Sequence, residues 1–158
     1  MSDVQAFQPV NPDIKSPVTL QNMGEYLFTT VPVGSVVSVT TNTPVDVCTL
    51  VVSAGKWDVS AVVDRSLSGV TATRYAAGIS LTVNAMPTQP GGSGLGPDAS
   101  VTQFATFGTT VTGSYATPVP PVRVEVPVAT TLHLVVADLF SAGTVGAFGT
   151  IRATRVSS

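Results

Sequence analysis

The sequence holds little that could do acid–base or metal chemistry: its 158 residues contain one histidine and one cysteine. His133 lies in the strand-like run LHLVV with no neighbouring carboxylate to orient it, so it lacks the partner that a general base needs. Cys48 cannot form an internal disulfide, and its setting in VDVCTLVV reads as that of a small buried hydrophobe. One His, one Cys and no Asp-rich loop leave no ligand set with zinc or calcium spacing. GGSGLG lacks the Lys-Ser/Thr of a phosphate cradle, and no GxSxG elbow occurs. These absences argue against an enzyme, a cofactor, a metal and a small-molecule substrate.

Charge is scarce too. Asp, Glu, Lys and Arg make up 10% of the chain, against about 25% in an average soluble domain. The basic residues Lys15, Lys56, Arg65, Arg74, Arg123, Arg152 and Arg155 are scattered and the net charge is -2, so no run can neutralise neighbouring phosphates and nucleic acid is not an expected partner. No apolar run approaches the roughly 20 residues that span a bilayer, and the polar, Pro-rich start has no signal-peptide order of regions, so no membrane is expected either.

What is present is alternation. In GKWDVSAVV, Trp57, Val59, Ala61 and Val63 share one face, and Asp58 and Ser60 the other. GISLTVNAMP repeats the pattern with Ile79, Leu81 and Val83, and PVRVEVPV, TTLHLVVAD and GTVGAFGTIRA continue it. Trp57, Val59, Ala61, Ile79, Leu81 and Val83 are therefore core candidates. Tyr75 and Tyr115 are freer for a surface or an interface. Helix periodicity is missing, and Gly, Pro, Ser and Asn gather at SAG, LSG, AAG and SAGT, where turns are expected. The fold class predicted is all-β: a single antiparallel β-sandwich, or jelly roll, over residues 26–158. PTQPGGSGLGP, from Pro87 to Pro97, reads as a surface crossover.

Residues 1–25 differ. Pro9, Pro12 and Pro17 interrupt the isolated apolar residues Phe7, Val10, Ile14, Val18 and Leu20, which are too few to close a core. This segment is expected to be an extended N-terminal arm, with Phe7, Pro9, Val10, Pro12, Ile14, Val18 and Leu20 as partner contacts.

From about Cys48 onward, GKWDVSAVV, GISLTV and the long ending PVPPVRVEVPVATTLHLVVADLFSAGTVGAFGTIRATRV resemble the jelly-roll domains of phage capsid decoration (cement) proteins and tail-fibre tips. The resemblance implies a homotrimer without a catalytic site. No repetitive shaft precedes the strands, which favours decoration over a fibre. It further implies the major capsid protein as partner, a place on the outer surface of the virion at junctions between capsomers, and synthesis in the host cytoplasm. The alternative it leaves open is the receptor-binding tip of a tail or head fibre.

Overall fold

The computed structural model describes residues 23–87, 101–105 and 110–157. Most of the expected arm, with all seven of its proposed contacts, lies outside these residues, as does the loop from 88 to Pro97.

Among the described residues nine strands follow one another: β1 (Tyr26–Val31), β2 (Val37–Val39), β3 (Val45–Val52), β4 (Gly55–Ser80), β5 (Val101–Ala105), β6 (Thr110–Val126), β7 (Thr130–Val136), β8 (Leu139–Phe140) and β9 (Thr144–Ser157). A single 3-10 turn, Val33–Ser35, separates β1 from β2. The pairings are nested and all antiparallel: β1 with β9, β3 with β7, and β4 with β6 and β5. This long hairpin is rolled up because β4 also lies against β9 and β7. Two facing sheets result, β1–β9–β4–β6 with β2 beside β1 on β9, and β3–β7–β4–β5 with β8 on β4. The molecule is an antiparallel β-sandwich of the jelly-roll kind.

One strand joins both sheets. The turns expected at LSG and AAG do not form, and β4 runs unbroken for 26 residues, roughly 85 Å of extended chain. At Gly69, with φ 58°, the register against β6 shifts between Leu67 and Val70, so the glycine makes a bulge where a turn was expected. The strand bends there and passes from the first sheet to the second. Gly78 is buried within it, flanked by Val135 and Val101.

The alternation decides what is buried. Trp57, Val59, Ala61 and Val63, with Ile151 beside them on β9, face Ile79, Leu132 and Leu134 in one cluster between the sheets. Leu81 packs at the edge of this cluster, half-buried. Val83, read as core from its phase, is 61% exposed. The strand ends at Ser80, and the chain turns through Asn84 at φ 49°, which removes Val83 from the sheet's two-residue period.

β9 crosses the centre of the first sheet, and Gly149 brings it unusually close to β4. A Cβ built there would lie 2.2 Å from the Val62 carbonyl oxygen and 3.0 Å from the Val63 Cα. Both are backbone atoms of a central strand and cannot rotate away. Gly149→Ala is expected to cost about 1–3 kcal/mol by overpacking, read as a lowered urea midpoint.

Candidate interaction surface

Several described side chains capable of chemistry have partners within the fold. The β3–β7 register sets His133 opposite Thr49, and a bulge between Asp46 and Cys48 turns the Asp46 carboxylate toward the imidazole. His133 Nδ1 is 2.6 Å from Asp46 Oδ2, while Asp46 Oδ1 accepts the Asn84 N–H at 2.8 Å and the Asp46 N–H donates to Asn84 Oδ1 at 2.9 Å. The orienting carboxylate absent beside His133 in sequence is thus supplied from 87 residues away. It staples the turn after β4 to the start of β3. Cys48 is buried with its sulfur 3.8 Å from the Thr29 carbonyl oxygen, and burial pushes the thiol up to about 11. A thiol that holds its proton is a poor nucleophile and a poor ligand. Among the described residues no group of three or more His, Cys, Asp or Glu could hold a metal. No helix among them is long and apolar enough to cross a membrane.

Two arginines are interior struts. Arg65 is fully buried where β4 approaches its bend. Its Nε and Nη2 donate to the two Asp138 carboxylate oxygens at 2.7 and 2.9 Å, Nη1 donates to Thr117 Oγ1 at 2.8 Å, and Nη2 also reaches the Ala76 carbonyl at 3.0 Å. The Ala76 N–H donates to Asp138 Oδ1 at 3.2 Å, so one ion pair ties both halves of β4 to β6 and to the β7–β8 link. The guanidinium lies 5.1 Å from the centre of the Tyr75 ring, which stacks on Tyr115 at 5.2 Å. Tyr75 is therefore no surface residue: it is 2% exposed, and burial pushes its phenol above the usual range.

Arg155 performs the second task. It lies 4.6 Å over Trp57, donates to Glu25 Oε2 at 3.0 Å and to the Ala54 carbonyl at 2.9 Å, and also bonds Ser53 Oγ. With the bonds Gly24 N–H to Arg155 O and Arg155 N–H to Glu25 O, both 2.9 Å, it anchors the root of the N-terminal segment to the β3–β4 turn.

What remains for recognition is surface. The outer face of the first sheet carries Tyr26 and Phe28 on β1, 54% and 61% exposed with ring centres 5.9 Å apart. Among the described residues β1 has a partner on one side only, β9. At the far end of β1's row, Asp58 and Arg123 form a two-pronged ion pair at 2.8 and 2.9 Å, which holds the Asp58 carboxyl below its usual range. Toward the other end of the sheet a shallow groove of about 240 Å³ is lined by Val36, Ser38, Ser66, Ser68 and Thr144, with no titratable side chain. Nothing in that groove could move a proton.

No family model matches the chain, and no curated protein matches it. Two of the solved structures it is similar to come from infectious bursal disease virus. One is of the Gx strain, at 10% identity over 99% of this chain and 38% of that one, with a TM-score of 0.48. The other is of the VP2 subviral particle, at 14% identity over 84% of this chain and 31% of that one, with a TM-score of 0.38. The chain spans about a third of the length of each. Neither is a phage decoration protein or a fibre tip, so the phage decoration and fibre-tip resemblance read from the strand motifs is corrected.

Proposed function

We propose that this chain is a non-enzymatic structural protein of a viral capsid, working by assembly with copies of itself as a homotrimer, with residues 1–25 as an arm that reaches a neighbouring copy. One observation carries the reading: His133, Cys48, Arg65 and Asp138 are all held by partners within the fold, while exposed aromatic surface lies on β1, next to the anchor at Gly24 and Glu25. Jelly rolls recur in shells and in lectins alike. A sugar site needs polar side chains converging beside an aromatic platform, and the hydroxyl-lined groove lies away from Tyr26 and Phe28. Several weak contacts per copy suffice for a stable shell, because linked contacts multiply. Each apolar arm residue adds about 1.5–3 kcal/mol when fully enclosed.

Removing Met1 to Gln21 tests this, since the cut leaves the Gly24 and Glu25 anchors on Arg155 intact. The truncated chain is expected to keep its far-ultraviolet circular dichroism and to lose its assembled state in light scattering. Undiminished assembly would overturn the arm's role. A full-length chain that stays monomeric and binds glycans would replace the capsid reading with a sugar-binding one.

A further inference from the structure

Among the described residues, only two charged side chains make neither an ion pair nor a hydrogen bond: Asp64 and Arg152. They are of opposite sign and stand on the same surface, the outer face of the first sheet. On β4 the inward positions Val59, Ala61, Val63 and Arg65 are buried, so Ser60, Val62 and Asp64 point outward. Register then places Arg152 of β9 beside Ser60 and Phe28, and Asp64 beside Phe148. Ser60 and Asp64 are four residues apart, so the two charges lie about 13 Å from each other along the strands. Val62 and Thr150, themselves paired, mark the midpoint.

We propose that this face is a contact between two copies of the chain, related by a two-fold axis that lies in the contact and crosses the strands at Val62 and Thr150. Rotation about that axis reverses the strand direction. It carries Arg152 of one copy to the end of the patch where Asp64 of the other stands, and the converse pair forms by symmetry. Two faces stacked about 10 Å apart with nearly aligned strands bring a long arginine within reach of a carboxylate. Phe28, Val62 and Phe148 supply the apolar part of the contact, and aromatic and arginine side chains are the residues that interfaces favour. The charge pattern selects the occupant. A lone charge of one sign would call for an unrelated partner, whereas one of each sign at opposite ends of one patch complements itself. This extends the self-assembly reading by giving it a surface, and it needs neither the arm nor the trimer.

Charge reversal tests it on the full chain. Asp64→Arg leaves two cations facing across the contact, and Arg152→Asp leaves two anions. Each variant alone is expected to keep its circular dichroism, since both side chains are on the outer face, and to self-associate at least about tenfold more weakly than the unmodified chain in sedimentation. An equimolar mixture is expected to restore association, because every facing pair is then again of opposite sign. The proposal is overturned if the unmodified chain does not associate, if either variant alone associates as it does, or if the mixture associates no better than its components. A trimer that persists in both variants while larger species vanish supports this face and leaves the trimer standing. Pairing of charge-reversed variants that survives deletion of Met1 to Gln21 supports this face even if the arm's role fails.

Discussion

Asp138→Ala is expected to lower the unfolding free energy by about 3–5 kcal/mol, because it leaves a buried guanidinium without its counter-charge. Asp138 and Arg65 are both fully buried, and the substitution removes the acceptor for two guanidinium bonds and for the Ala76 N–H. Thr117 and the Ala76 carbonyl would remain, which is too little for a full positive charge. A urea midpoint lowered at constant slope is the readout. The double change Arg65→Met with Asp138→Leu separates two roles of the pair. Since replacing both partners by apolar groups is often neutral or stabilising, near-native stability of the double variant identifies the single-site loss as a stranded charge. A double variant as unstable as Asp138→Ala would mean instead that the bonds at the bend of β4 are themselves required.

Trp57→Ala is expected to cost a similar amount, about 3–5 kcal/mol, as a large-to-small change in the core. The ring is fully buried, and its Nε1–H donates to the Ser53 carbonyl at 2.9 Å. The guanidinium of Arg155, 4.6 Å from the ring, would lose the surface it lies on. The damage should therefore spread to the anchor at Glu25 and to the direction in which the N-terminal segment leaves the sheet. Trp57→Phe keeps most of the volume and gives up the hydrogen bond, a loss of about 1 kcal/mol. Thermal melts of the two variants measure the difference. A near-neutral Trp57→Ala would place the ring at the surface and favour the sugar-binding reading.

The two variants probe features that differ in how far they could be read from the sequence. Trp57 was legible because its neighbours at two-residue spacing, Val59, Ala61 and Val63, are apolar while Asp58 and Ser60 are not. The Arg65–Asp138 pair was not legible: its members are 73 residues apart, and nothing near either names the other. Tyr75 illustrates the same limit. Its sequence neighbours suggest a free aromatic, but the bend in β4 turns it onto Arg65 and Tyr115. The LSG and AAG motifs misled for a local reason, since glycine permits a turn and a strand bulge equally. Which of the two forms depends on whether a strand waits on either side to pair.

For the proposed contact face, the sequence names Asp64 and Arg152 only as two charges among few. That they share a face follows from the β4–β9 register, and that they alone among the described residues are unspent follows from the partners the fold gives the other charges.

By itself, the sequence determined that this chain is an antiparallel β protein, which faces of its strands are apolar, and that no catalytic or metal-binding spacing runs through it. These are consequences of local chemistry: side chains alternate across a strand whatever it pairs with. Tertiary structure alone decided that β4 serves both sheets, that Val83 leaves the core, that His133 has a carboxylate, and which charges are left to face another molecule. Each of those depends on register between strands tens of residues apart, and a one-residue slip would exchange buried for exposed along a whole strand.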